Sequence, residues 1–310
     1  MTPDPLVSAI IPTRERPGLA ARAIRSVLGQ TYPHVEVWVV DDGGDPPLAL
    51  PRDLEDPRVR LLRLDSSVGA GEARNRAIAG CEGELIAFLD DDDVWLEGKT
   101  AAQVERLRAE PPSVGGVESG WEMVEGGRVI FRYLPDPERD LALAVLAQPV
   151  MAPSSTMWRR EAIERAGGFT AHRLHHDWAL WAGIADRWTV AAIPEIHARR
   201  LAHPPKPAAE RIGGRRYILE LFGDRIARLP ERERRRVLAF QERVLGSYHA
   251  EVGETREARR LLASSWRRRP DVRTAAGLVR TVVGETAWRA ATRLARDARY
   301  RLSGPPTLRW

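Results

Sequence analysis

Short apolar segments alternate with helix-forming ones through the first ninety residues, and this alternation limits the fold more than any other property of the chain. Residues 7–11, 35–40, 59–64 and 85–89 are rich in Val, Ile and Leu, while 19–28 and 70–78 read as helical stretches. Strand starts about 25 residues apart with helices between them specify βαβ units and a mostly parallel sheet. The pattern weakens over residues 114–133, where Gly126-Gly127 marks a hairpin. From residue 206 the chain reads as helical, in segments 209–227, 231–252, 255–268, 271–283 and 285–302 separated by Pro230, Gly253, Pro270 and Gly284. The expected fold class is α/β, followed by an all-helical C-terminal region, with domains at 1–205 and 206–310.

Charge divides the chain in the same place. Residues 206–310 carry 25 Lys and Arg against 12 Asp and Glu, a net +13, whereas residues 1–205 sum to −8. Two regions with different partners are indicated, and His203-Pro204-Pro205-Lys206-Pro207 reads as the linker between them. There is no run of about 18 apolar residues and no basic start followed by an apolar centre. Neither a membrane span nor a signal peptide is expected, and the protein is read as cytoplasmic. Cys81 is the single cysteine, which excludes an internal disulfide and a cysteine-based zinc site; it is expected to pack as a small hydrophobe.

Chemistry concentrates where the strands end. Asp90, Asp91, Asp92 and Asp93 follow the apolar run 85–89 directly, so a buried strand delivers carboxylates to the edge where open α/β sheets place their ligands. In an extended chain Asp90 and Asp92 share a side roughly 7 Å apart. At an effective dielectric near 20 they repel by about 2 kcal/mol, which a divalent cation relieves. Pro12-Thr13 ends the first strand and Asp41-Asp42-Gly43-Gly44 the second, on the same edge. A carboxylate there can accept the imino N–H of a pyrimidine or a ribose hydroxyl, and the glycines allow close backbone approach. In Val68-Gly69-Ala70-Gly71-Glu72-Ala73-Arg74-Asn75-Arg76 the glycines open a helix whose free N–H groups favour anions, with Arg74 and Arg76 as candidate phosphate ligands. No G-x-G-x-x-G or G-K-[ST] loop is present, which speaks against a Rossmann dehydrogenase or a P-loop ATPase.

Taken together and in this order, Ser8-Ala9-Ile10-Ile11-Pro12-Thr13, Val39-Val40-Asp41-Asp42-Gly43, Ala73-Arg74-Asn75 and Phe88-Leu89-Asp90-Asp91-Asp92-Asp93 resemble family 2 glycosyltransferases of the GT-A fold. The similarity continues through Arg160-Glu161, Ala166-Gly167-Gly168-Phe169 and His176-Asp177-Trp178-Ala179-Leu180-Trp181, covering residues 6–203. The resemblance implies an inverting, metal-dependent transfer of a sugar from a nucleotide-sugar to a hydroxyl of a glycan or lipid-linked acceptor, in polysaccharide or cell-envelope biosynthesis. UDP-sugars are the commonest donors in the family, with GDP- and dTDP-sugars open. Pro12, Thr13 and Asp42 would hold the nucleoside, with Asp42 on the base, Asp91 would touch the ribose or donor sugar, and Asp41, Arg74 and Gly168 would also contact the donor. Asp90 and Asp92 match the D-x-D motif that binds Mg²⁺ or Mn²⁺ with the diphosphate, and His203 stands near the place where many relatives carry a further His. No nucleic-acid partner is expected.

The family's catalytic base is the Asp of a Glu-Asp pair at the start of a helix, and Asp177 takes that place. His176 replaces the usual Glu, with proton relay or acceptor binding as its alternative role. Trp178 and Trp181 share a helix face, for core packing or for stacking on an acceptor sugar. Two other readings stand beside transfer. A sugar-phosphate nucleotidyltransferase fits poorly, because residues 12–18 lack a Gly-rich basic loop; the other is an adaptor that binds a sugar nucleotide without transferring it. In the last third Leu245, Gly246, Gly253, Ala258, Leu262 and Pro270 resemble one tetratricopeptide repeat, with His249 where an aromatic is usual. The final segment sets Trp288, Ala291, Ala295, Ala298 and Leu302 on one face and Arg289, Arg293, Arg296 and Arg299 on another. That is the pattern of a helix on an anionic membrane.

Overall fold

The structure, a computed structural model, describes residues 4–172, 174–284, 288 and 307–309. In chain order its elements begin β1 (Val7–Thr13), α1 (Pro17–Leu28), β2 (Val35–Asp41), β3 (Val59–Arg63), α2 (Ala70–Gly80), β4 (Leu85–Phe88), β5 (Val94–Trp95) and α3 (Lys99–Ala109). There follow β6 (Val114–Glu125), β7 (Arg128–Leu134), α4 (Leu141–Ala147), β8 (Thr156–Arg159), α5 (Arg160–Arg165), α6 (His176–Ala185) and β9 (Thr189–Leu201). The helices α7 (Ala208–Leu221), α8 (Gly223–Ala227), α9 (Glu231–Glu251), α10 (Thr255–Arg268) and α11 (Val272–Val283) precede a short β10 (Thr307–Arg309). Two compact units result. One combines the chain up to Leu141 with Pro149–Ala202 and β10, and the other combines Ala142–Gln148 with the helical segment from His203.

The first unit is a mixed α/β sheet. Its parallel half has the order β3-β2-β1-β4, with α1 and α2 in the crossovers. Every residue of β1 and β4 is buried, which explains why, apart from Ser8 and the terminal Thr13, their sequence is apolar: both faces of a central parallel strand are covered. At the sheet's edge β3 is largely exposed and carries Arg60 and Arg63. Past β4 the sheet turns antiparallel through β8, β6 and β7, and β9 runs parallel to β6. Gly126 and Gly127, both at positive φ (54° and 79°), form the β6–β7 hairpin expected at that pair. The strands β8 and β9 were not legible in the sequence pattern. Trp178 and Trp181 are fully buried, with Trp181 stacked on Trp158 at 4.5 Å between ring centres, so core packing is their use. Cys81 is buried one residue beyond α2, its sulfur 3.1 Å from an Arg160 Nη2 donor.

In the second unit α9 and α10 form a hairpin turned at Gly253 (φ 82°). Leu262 is fully buried, and a Cβ on Gly246 or Gly277 would lie 2.8 or 2.9 Å from its side chain, so these glycines set how closely α9 and α11 approach α10. His249 is buried beside Glu254, in the position an aromatic was expected to hold. The proposed membrane-facing helix over 285–302 lies outside the described residues except for Trp288. Among the described residues no helix is long and apolar enough to cross a membrane.

Candidate active site

Strand register brings the first two motifs together. Ile10 of β1 lies opposite Phe88 of β4, so Thr13 and Asp91, each three residues further on, emerge at the same height. The Thr13 hydroxyl donates to Asp91 Oδ2 at 2.6 Å. On the other side of β1 the Asp42 amide donates to the Thr13 carbonyl, which puts the Asp-Asp-Gly-Gly turn on this edge as well. Asp42 accepts from Ser67 Oγ (2.9 Å) and from the amides of Val68 (2.7 Å) and Gly69 (3.0 Å), so its carboxylate holds the loop that opens α2. Gly43 is required here: its φ is 66° and an added Cβ would meet Ser66 and Ser67 backbone at 2.5 Å. Asp41 is turned into its own loop, accepting from Gly44 N, Leu48 N and Arg63 Nη1.

The four aspartates do not continue the strand as an extended chain. The Asp93 amide donates to the Asp90 carbonyl at 3.0 Å, closing a turn. The cause is Asp93, whose carboxylate is drawn inward by Ser154 Oγ (2.7 Å), Arg200 Nε (3.1 Å) and the Leu201 amide (3.2 Å). In consequence Asp90, Asp92 and Asp93 each present a carboxylate oxygen, all within 4.8 Å of one another, and Asp93 joins the pair named from the sequence. Oxygen ligands of one hard cation sit about 2.1–2.6 Å from it, so opposite ligands are separated by about 4–5 Å, and this donor set fits Mg²⁺ or Mn²⁺. Arg74 Nη2 neutralises Asp90 at 2.5 Å, and Arg16 Nη1 lies 2.8 Å from Asp92 and 3.2 Å from Asp91. Burial raises the Asp91 carboxyl above its ordinary range, against the Thr13 hydrogen bond and the Arg16 charge that pull it down. Burial also pushes Asp93 up to about 6, opposed by Arg200 and reinforced by Asp90.

The helices α2 and α6 complete the site. Arg74 is 3% exposed, its guanidinium 5.3 Å from the Phe169 ring centre, and its Nη1 donates to His176 Nε2 at 3.0 Å. Because arginine has only protons to offer, Nε2 must be the acceptor, which makes His176 the neutral Nδ1–H tautomer in this contact. Gly71 sits under that ring: a Cβ there would lie 3.0 Å from His176 Cγ. Gly168, at φ 72°, backs onto Asn75, whose side chain clasps the Phe169 amide and carbonyl, both at 2.9 Å. Gly168 thus packs against the Asn75 side chain that seats Phe169 on α2. Asp177 lies in the first turn of α6, after a cap at His175, and accepts from the Trp178 amide at 2.8 Å.

A cleft of about 400 Å³ gathers Pro12, Thr13, Asp42, Arg74, Asp90, Asp91, Asp92, His176 and Asp177. His203 belongs to the second unit. Asp41 and Gly168 are not among the residues that line the cleft. Sequence reasoning missed Arg16 and Arg200, which also line it. Arg16 sits three residues past Pro12-Thr13, where a basic side chain was a usable signal. Arg200 was hidden because β9 itself had not been read; it also stacks 5.0 Å from the Trp121 ring centre.

Residues 8–167 match the profile of Glycosyl transferase family 2, and the chain belongs to that family. Among curated proteins it is 30% identical over 132 residues to the UDP-Glc:alpha-D-GlcNAc-diphosphoundecaprenol beta-1,3-glucosyltransferase WfgD of Escherichia coli, 42% of this chain and 51% of that protein. It is 36% identical over 138 residues to the putative teichuronic acid biosynthesis glycosyltransferase TuaG of Bacillus subtilis, 43% of this chain and 54% of that one. The chain thus spans about half the length of these relatives. Among solved structures, a mannosyltransferase from Pyrobaculum calidifontis in complex with GDP-Man and Mn²⁺ superposes with a TM-score of 0.54 at 21% identity, covering 98% of this chain and 84% of that one. Staphylococcus aureus TarS in complex with UDP-GlcNAc gives 0.54 at 15% identity, covering 96% and 91%. These likenesses establish a GT-A-like fold.

Proposed function

We propose that the cleft transfers a sugar, with inversion, from a nucleotide-sugar to a hydroxyl of a lipid-linked or cell-envelope glycan. One observation carries this reading: the nucleoside-side residues Thr13 and Asp42, the acidic turn, Arg74 and Asp177 all line one cleft. A UDP-sugar donor is supported by the relative that uses UDP-Glc and by the fold neighbour bound to UDP-GlcNAc. A diphosphoundecaprenol-linked acceptor is supported by the first of these.

Pro12, Thr13 and Asp42 would bind the nucleoside, with Asp91 held by Thr13 against the ribose or donor sugar. Asp90, Asp92 and Asp93 would hold Mg²⁺ or Mn²⁺. When bound there, such an ion would supply charge neutralisation for the departing diphosphate. Arg74 and Arg16 add fixed positive charge on the same side. The Asp177 carboxylate takes the proton of the acceptor hydroxyl as its oxygen bonds to the anomeric carbon and the bond from that carbon to the diphosphate oxygen breaks. His176 positions Arg74.

A panel of nucleotide-sugars with Mn²⁺, scored for nucleotide release with and without acceptor, tests the activity. Asp177→Asn keeps the size and cannot take a proton, so kcat should fall by about 10² or more with donor affinity little changed. An active Asp177→Asn beside a crippled His176→Ala would move the base to His176.

A further inference from the structure

The proposed transfer leaves one strongly charged surface unused, at one end of the helical unit. The N-terminal turns of α9 meet the α10–α11 junction, where Arg235 Nη2 donates to the carbonyls of Arg267 (3.4 Å) and Arg268 (3.2 Å). Segments 231–236 and 267–273 together carry eight arginines against Glu231, Glu233 and Asp271. Most of that charge is unspent. Arg234 pairs with Glu231, Arg268 pairs with Glu242, and Asp271 is occupied in capping α11 through the Thr274 amide and hydroxyl. Arg232, Arg236, Arg267, Arg269 and Arg273 are exposed and make no ion pair among the described residues. Several of these arginines border a cleft of about 840 Å³.

Apolar side chains flank the arginines in sequence. Trp266, in the last turn of α10, is 39% exposed, and Val272, which begins α11, is 81% exposed. A soluble anion would use the guanidiniums and leave these two in water. A bilayer surface uses both: headgroup phosphates take the arginines, while a tryptophan and an aliphatic side chain enter the boundary below them.

We propose that this end of the helical unit, the α9 N-terminus with the α10–α11 junction, docks on the headgroups of an anionic phospholipid membrane. Its residues are not those of the final segment singled out in the sequence, and docking does not depend on the identity of the donor or acceptor. The test uses the full chain and flotation with phosphatidylglycerol-containing or pure phosphatidylcholine vesicles at low and high salt. The wild-type protein should float with the anionic vesicles only, and less so at high salt. The R232E/R236E/R269E variant should lose binding by about tenfold or more, since each basic residue near such a surface strengthens attachment about fivefold. R232K/R236K/R269K should retain it, and Trp266→Ser should weaken it with all the charge in place. Circular dichroism melts identify any variant that has lost its fold. Equal flotation with both lipids, undiminished flotation of the charge-reversed variant, or release by low concentrations of inorganic diphosphate would overturn the proposal.

Discussion

Replacing Arg74 by Met should separate metal binding from donor binding by moving them in opposite directions. The guanidinium lies 2.5 Å from Asp90 and is only 3% exposed, while Asp90 is 27% exposed. Unit charges about 4 Å apart at an effective dielectric near 20 interact by about 4 kcal/mol, and the water reaching Asp90 reduces this to about 2 kcal/mol. A divalent cation seeking Asp90 competes against that attraction. Without it the affinity for Mn²⁺ alone should rise by roughly tenfold or more, at about 1.4 kcal/mol per factor of ten. Nucleotide-sugar affinity at saturating Mn²⁺ should fall, because the variant has lost the cation proposed to face the diphosphate. The thioether suits a space beside Phe88 and Phe169, so the fold should hold, and a melting curve checks this. Calorimetric titration with Mn²⁺ first and nucleotide second reads both signs. A folded variant with unchanged or weaker Mn²⁺ binding would refute the assignment of Asp90 as a ligand held in check by Arg74.

Two further expectations concern stability. Glu118, buried on β6 and paired with Arg139 at 2.8 Å, has its carboxyl pushed by burial up to about 7. Since the folded value lies above the ordinary one of about 4.5, its contribution is full below that range and declines as pH rises toward 7. Urea denaturation across this window should show the wild type losing about 3 kcal/mol that Glu118→Gln does not lose; parallel pH profiles would count against the shift. In the helical unit Leu262→Ala opens a void between Gly246 and Gly277 and should destabilise by about 2–5 kcal/mol, read as an earlier loss of helical circular dichroism in urea.

The central parallel strands were legible because a strand covered on both faces is largely apolar, and its end is marked where polar residues close the run. This is why Thr13, Asp42 and Asp90 were found as strand-end residues before any register was known. Partnerships between distant segments were not legible. Asp93 folds inward only because Ser154, Arg200 and Leu201 are there to receive it, across 61, 107 and 108 residues of chain. The extended spacing of Asp90 and Asp92 failed for the same reason. Local geometry was read correctly for a free strand, but the tertiary partners of Asp93 select a turn. Likewise nothing near Asp42 in the sequence announces that residues 67–69 will take up its carboxylate.

The acidic turn is fastened from several directions. Thr13 fixes Asp91, Arg22 Nη2 donates to the Asp92 carbonyl at 2.6 Å, and Ser154 bridges the Asp90 amide and the Asp93 carboxylate. Immediately after it, β5 pairs with the end of β9, the strand that follows α6 and so leads back from Asp177. A loop bound so thoroughly has already given up its conformational freedom during folding. Freezing one residue's backbone costs about 1–2 kcal/mol, so a four-residue turn that had to be ordered by its ligand would weaken binding by several orders of magnitude. Here folding meets that cost, and ligand affinity at the turn can be decided by charge and distance alone.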